Sequence, residues 1–236
     1  MKSYSNTYIF IFSAVMVIIV AALLSGAAIT LQPYQKKNIE INKKQNILTS
    51  INIESTAENA ETLYAKYIKE SFAVNVNGQK NVDVNAFKVD MKKELAKPIN
   101  ERNLPIFISE IKGVKQYIIP VYGKGLWGPI WGYVALKQDL STIYGANFSH
   151  KGETPGLGAE IETKEFQSQF FDKQIYDEQN KFVSVSVLKG GTANPNSKYE
   201  VDGISGGTIT SNGVDQMLKD CLSSYKSYFK NIKTNI

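Results

Sequence analysis

The chain is poor in metal-binding and thiol chemistry: 236 residues carry one cysteine, Cys221, and one histidine, His150. A single thiol excludes an internal disulfide framework and any iron–sulfur or zinc site built from several cysteines. A single imidazole excludes a His-rich metal centre. Residues 3–35 contain no Asp, Glu, Lys, Arg or His. The formal charge of +5 is modest, and no Lys/Arg cluster is interleaved with aromatics, so nucleic acid is not indicated. Hydrolase signatures are missing as well: there is no HExxH and no spaced pair of catalytic carboxylates.

What fills the uncharged window is an apolar run, Tyr8–Leu31, interrupted only by Ser13, Ser25, Gly26 and Thr30. As a helix its 24 residues reach roughly 36 Å, enough for a ~30 Å hydrocarbon core. Tyr4, Tyr8 and Tyr34 stand near its ends, where aromatic rings favour the interface. A cleaved signal peptide is the competing reading. The run is longer than a signal h-region, and the positive n-region is Lys2 alone. No Cys follows Leu23-Leu24-Ser25-Gly26, which excludes lipoprotein attachment. Lys36, Lys37, Lys43 and Lys44 follow the run, and a plain positive-inside count puts the large domain in the cytoplasm; long domains translocate largely regardless of such charge.

The organisation read from the sequence is a tail (1–7), a transmembrane helix (8–31), a juxtamembrane linker or helix (32–52) and a soluble domain (53–236). Pro33 is expected to end or bend the membrane helix. Helical spacing covers 57–72 through Ala60, Leu63, Tyr64, Tyr67, Ile68 and Phe72. Asn77-Gly78 is a turn signal between short strand-like runs, and a short helix over 86–96 stops before Pro98. Residues 104–111 and 117–122 flank Lys112-Gly113 as a hairpin. Residues 130–136 and 142–148 continue the strand pattern, a helix is expected over 160–171, and 182–188 reads as a further strand. Val214, Met217, Leu218, Cys221, Leu222, Tyr225, Phe229 and Ile232 form one apolar stripe, predicting a last helix docked on the core with Cys221 as a small buried apolar residue. The fold class is α+β: one N-terminal transmembrane helix, then a domain with a mixed or antiparallel sheet flanked by helices.

Three glycine-rich segments stand out. Asp202-Gly203-Ile204-Ser205-Gly206-Gly207-Thr208-Ile209-Thr210-Ser211 lies immediately before the last helix. Paired glycines admit close approach to the backbone, and Ser211 or Asn212 is placed to cap the helix. A helix N-terminus draws phosphate through its free N–H groups and its dipole. From the residues alone a capped Gly-rich turn is the simpler reading, and the segment is neither a P-loop nor GxGxxG. Gly152-Glu153-Thr154-Pro155-Gly156-Leu157-Gly158-Ala159-Glu160 is a rigid loop; Leu157 between two glycines fits a cover for an apolar ligand, and a structural turn fits equally. Gly123-Lys124-Gly125-Leu126-Trp127-Gly128-Pro129-Ile130-Trp131 holds both tryptophans, for which packing on a ligand ring, in the core or toward a membrane all remain open. His150 reads as a polar loop residue with no partner acid suggested by spacing.

Taken in order after one membrane helix, these segments resemble the C subunits of sodium-translocating NADH:quinone oxidoreductases (the Nqr complex) over nearly the whole chain. Asp202-Gly-Ile-Ser-Gly-Gly-Thr208 is similar to the family's flavinylation motif D-G-x-[ST]-G-A-T, whose final Thr carries FMN through a phosphoester. Gly207 stands where the family has Ala, the loss of one methyl. The G subunit of the Rnf complex shares this motif and the Glu-Thr-Pro-Gly-Leu-Gly loop, and the Gly-Lys-Gly-Leu-Trp-Gly-Pro-Ile-Trp-Gly-Tyr segment favours the Nqr side. A flavin-free, membrane-tethered interaction module with basic residues on anionic lipid is the alternative of another class.

The resemblance implies covalent FMN on Thr208, with Ser205, Gly206, Gly207, Thr210 and Ser211 around its phosphate. It places Glu153, Thr154, Leu157 and Gly158 toward the isoalloxazine ring, with Trp127 a further ring-side residue and Lys124 and Lys189 as electrostatic partners. Thr208 is then an attachment point and no residue is a catalytic nucleophile; the flavin does the redox chemistry. The implied role is a single-electron carrier without independent activity, whose partners are the other Nqr subunits, a flavin transferase that installs FMN from FAD, and the lipid bilayer. The implied location is the bacterial inner membrane, single-pass, with the domain on the periplasmic side.

Overall fold

The computed structural model describes residues 5–234; Lys2 and Tyr4, part of the tail read from the sequence, lie outside the described residues. Helix α1 (Asn6–Ser50) is followed by α2 (Ala60–Tyr67), strands β1 (Ile68–Val74) and β2 (Lys80–Asn81), α3 (Met91–Leu95), and strands β3 (Leu104–Ile111), β4 (Val114–Lys124), β5 (Pro129–Leu136) and β6 (Ile143–His150). Then come α4 (Lys164–Ser168), β7 (Ser186–Leu188), β8 (Glu200–Asp202), α5 (Thr208–Ser224) and α6 (Lys226–Thr234).

The chain divides into two compact units, one ending at Lys43 and one running from Lys44. In the first, α1 shows its apolar side chains on every side: Phe10, Val17, Ile18, Leu23 and Ile29 are all exposed, and the first charged residue within the helix is Lys36. It is long and apolar enough to cross a membrane. Pro33 lies inside the helix rather than ending it. Its ring removes one ladder bond, and the helical turns on both sides outweigh that local cost of about 3 kcal/mol.

The second unit is built on a six-stranded sheet in the order β2-β1-β3-β4-β5-β6, antiparallel throughout. Lys112-Gly113 turns β3 into β4, both residues with positive φ. Period-two alternation gives the sheet two covered faces. Phe107, Ile118, Tyr133 and Ala135 pack with Ile47 and Leu48 at the end of α1 and Ile51 just after it. Ile119, Val121, Val134 and Phe148 pack with Val214, Met217, Leu218, Cys221 and Leu222 of α5. A short parallel pair, β7–β8, stands apart from this sheet.

Several elements differ from the sequence reading. The helix expected over 57–72 stops at Tyr67, and the next residues form β1, where Phe72 pairs with Ile106; strand pairing overrides local helical spacing. The helices expected over 86–96 and 160–171 are each split into a 3₁₀ turn and a short α-helix. Asp90 and Thr163 restart them as N-caps, accepting from the N–H groups of Lys92 and Phe166. Of the expected 182–188 strand, 186–188 forms β7 and Phe182 makes an isolated antiparallel bridge to Tyr176, and the partner of β7, β8, had no pattern of its own. The single last helix is two, α5 and α6, divided at Tyr225. The Tyr225 ring is fully buried and its hydroxyl donates to the Pro105 carbonyl at 3.0 Å.

Candidate functional site

Helix α5 begins at Thr208, with Gly207 as N-cap; no side chain caps it and its first turn carries no acidic residue. Ser211 and Asn212, the caps expected from their side chains, sit inside the helix. The Ser211 hydroxyl is used to accept the N–H of Ile204 at 2.9 Å, bracing the preceding turn. The N-terminal end of α5 therefore keeps its unpaired backbone donors and its positive dipole end.

Two further loops are brought to this end. The tip of the β4–β5 hairpin closes over 125–128, the N–H of Gly125 donating to the Gly128 carbonyl at 2.8 Å. It lies directly on α5: a Cβ at Gly213 would stand 2.3 Å from the Lys124 carbonyl oxygen, so only glycine permits the approach. The loop after β6 contributes residues 153–158. Its anchor is Glu153, 5% exposed. The Glu153 carboxylate accepts from the Thr210 hydroxyl at 2.6 Å and from the N–H of Trp127 at 2.9 Å. The Thr210 hydroxyl in turn accepts from the N–H of Leu126 at 3.4 Å. One carboxylate thus ties three segments far apart in sequence. Burial by itself pushes the Glu153 carboxyl up; the Thr210 hydroxyl and the N–H groups of Trp127, Gly128 and Leu126 together outweigh it and hold the group below its ordinary value.

Between the segments is a cavity of about 390 Å³ lined by Leu126, Trp127, Glu153, Thr154, Leu157, Gly158, Gly206, Gly207, Thr208, Ile209 and Thr210. Thr208 is exposed within it. Its rim is apolar: Trp127 is 70%, Ile209 58%, Leu126 46% and Leu157 41% exposed. Exposed apolar side chains grouped about one hydroxyl at a helix N-terminus suit a ligand with a flat apolar part and an anionic part. Two other clefts, lined by Thr49 with Phe171 and by Tyr176 with Lys230, contain none of the candidate site residues of the sequence.

The cavity gathers most of the residues predicted from sequence: Trp127, Glu153, Thr154, Leu157, Gly158, Gly206, Gly207, Thr208 and Thr210. Ser205 faces a neighbouring cleft with Asp202 and Ile204, and Ser211 is buried. Lys124 and Lys189 do not line the cavity. Asp202 accepts from the N–H groups of Thr192 and Ala193 and so pins the 190s loop. Gly207 is confined: a methyl there would meet Ile204 Cβ at 3.1 Å and the Gly158 nitrogen at 3.2 Å. Leu126 and Ile209 were not singled out, although each flanks a residue that was. His150 has partners after all. Its Nδ1 accepts the N–H of Glu153 at 3.0 Å, and its own N–H donates to Glu162 at 3.0 Å. Among the described residues no group of His, Cys, Asp and Glu could hold a metal ion.

Comparison with known proteins bears directly on this cavity. The model of the FMN-binding domain family matches residues 125–223, from the hairpin tip through nearly all of α5. The C subunit of the Na(+)-translocating NADH-quinone reductase of Vibrio vulnificus is 32% identical over 214 residues, covering 84% of this chain and 83% of that protein. Its counterpart in Vibrio parahaemolyticus is 34% identical over 218 residues with the same coverage, 84% and 83%. The crystal structure of the C subunit from Parabacteroides distasonis is similar with TM-score 0.78 and 46% identity, covering 84% of this chain and 96% of that one. That of Shewanella oneidensis NqrC gives TM-score 0.72 and 25% identity over 84% and 99%. With this antiparallel α+β fold and this cavity, the chain belongs to the family of C subunits of Na(+)-translocating NADH-quinone reductase, an oxidoreductase complex.

Proposed function

We propose that this chain is a membrane-anchored electron carrier of a sodium-pumping NADH:quinone reductase, holding FMN through a phosphoester on the Thr208 hydroxyl. The observation that carries the reading is the place of Thr208: an exposed hydroxyl in the first position of α5, at an uncapped N-terminus, inside a cavity with an apolar rim.

The residues present fit the group. The cavity of about 390 Å³ lies in the range of ~300–1,000 Å³ usual for cofactor sites. The first N–H groups of α5 and the Gly206-Gly207 turn suit the phosphate. Leu126, Trp127, Leu157 and Ile209 would flank the ring, and Thr154 offers a hydroxyl at the cavity wall. Gly158 and Gly207 keep space that larger residues would take. When bound, FMN supplies the redox couple; the chain attaches it, orients it and limits its contact with water. A separate flavin transferase would install it, as the likeness of Asp202–Thr208 to the flavinylation motif implies.

The all-round exposure of apolar side chains on α1 supports a single-pass anchor in the bacterial inner membrane. The domain is assigned to the periplasmic side, against the weak count of Lys36 and Lys37. The other subunits of the complex are its expected partners, and electrons pass singly between their redox centres and this one.

The test is in-gel flavin fluorescence of the denatured full chain after co-expression with the transferase. A fluorescent band that Thr208→Val abolishes is expected. A colourless wild-type chain would favour a flavin-free tethered module instead.

A further inference from the structure

Glu153 presents a charge with no counter-ion. It is 5% exposed, and among the described residues no Lys, Arg or His forms an ion pair with it. Burying a carboxylate without a cation is expensive. The donors here, the Thr210 hydroxyl at 2.6 Å and the Trp127 N–H at 2.9 Å, are neutral. Neutral donors keep a carboxylate ionised, but they do not cancel its charge as an ammonium or guanidinium would. Glu153 nevertheless lines the same cavity as Thr208. A purely structural tie between Trp127 and Thr210 needs no charge, since a glutamine fills the same volume, its carbonyl oxygen can accept the Trp127 N–H and its amide can donate to the Thr210 hydroxyl.

We propose that Glu153 is a positioning residue that sets the reduction potential of the bound flavin, its fixed negative charge disfavouring the added electron. The inference rests on the reading of Thr208 as the attachment site. The effect scales with Coulomb's law in a partly shielded interior. One unit charge within ~10 Å at an effective dielectric constant of ~20 changes an equilibrium constant by about tenfold or more.

The experiment is a spectroelectrochemical titration of the full chain, co-expressed with the transferase, with flavin occupancy read by intact mass. Glu153→Gln removes the charge and keeps the shape. Its flavin should be easier to reduce, by about tenfold in equilibrium constant per electron, which is ~59 mV. Glu153→Asp keeps the charge and should stay close to wild type. An unchanged or lower potential in Glu153→Gln overturns the inference, as does an equal shift in both variants, which would assign the effect to loop geometry. If Glu153→Gln takes up no flavin, Thr210→Val decides. Loss of that hydroxyl leaves the charge less shielded, so the potential should fall, and a rise or an unchanged potential overturns the inference. A wild-type chain without flavin on Thr208 overturns the underlying reading and this inference with it, and occupancy measured first tells the two failures apart.

Discussion

Gly158 offers a direct test of the three-loop junction. An ideal Cβ at this position would lie 2.5 Å from the Thr210 hydroxyl oxygen and 2.6 Å from Glu153 Oε2. Gly158→Ala therefore cannot be accommodated without parting these two groups, which are hydrogen-bonded at 2.6 Å. Its backbone is not among those with positive φ, so the cost is steric and electrostatic. Overpacking costs about 1–3 kcal/mol, and loss of a hydrogen bond to a buried charged group costs about 1.5–3 kcal/mol. Partial relaxation leaves a destabilisation of about 3–5 kcal/mol, which for a domain of this size lowers the thermal midpoint by about 10 °C. Gly152 is the internal control: a Cβ there meets nothing within 4 Å, so Gly152→Ala should change stability by less than about 0.5 kcal/mol. Thermal unfolding of the full chain followed by tryptophan fluorescence reads the junction itself, because Trp127 and Trp131 both lie in or beside the hairpin tip. Equal midpoints for Gly158→Ala and Gly152→Ala would refute the junction as described.

The pH dependence of the same group has a definite sign. Glu153 has a folded-state pKa below its ordinary 4.5, so its contribution is present above that pH and lost as pH falls through the folded value. The stability gap between wild type and Glu153→Gln should narrow below pH 4.5 in thermal melts; a gap that stays constant into acid contradicts the depressed value. Tyr225→Phe should destabilise by about 1–3 kcal/mol in the same assay, because it leaves the buried Pro105 carbonyl without its donor at 3.0 Å; no change would show that the bond contributes nothing net. Burial pushes the Cys221 thiol up to about 11, so the native chain should resist maleimide at neutral pH and react fully once unfolded; fast native labelling would place the thiol outside the core.

How far the sequence reveals this molecule depends on the range of the forces involved. Strands β3 to β6 were legible because runs of apolar, β-branched and aromatic residues and the Lys112-Gly113 turn are local signals. The strand β1 was not, since Ile68 and Phe72 stand four apart and satisfy a helical period as well; only pairing with β3 decides. The division of α5 from α6 at Tyr225 involves no Gly or Pro and follows from where that ring is buried. The start of α5 was displaced for a related reason. Ser211 has the chemistry of a cap, but its hydroxyl is drawn to Ile204, leaving Gly207 at the helix entrance. The glycine-rich segments of the cavity were visible as segments, and Thr208 through its likeness to a family motif. The Glu153–Thr210 bond spans 57 residues, and nothing in either local sequence announces it. His150 is similar: the acid beside it in space, Glu162, is supplied by the turn that leads into α4.

The proposed function turns on one atom, the hydroxyl oxygen of Thr208. The most direct measurement is peptide mapping by mass spectrometry of the full chain co-expressed with the flavin transferase. The peptide containing Thr208 should be heavier by one FMN less one water, with fragmentation placing the group on Thr208, and Thr208→Val should carry no covalent flavin. Flavin found on Thr210, Ser211 or any other residue, or a wild-type chain that remains unmodified, would contradict the proposed attachment.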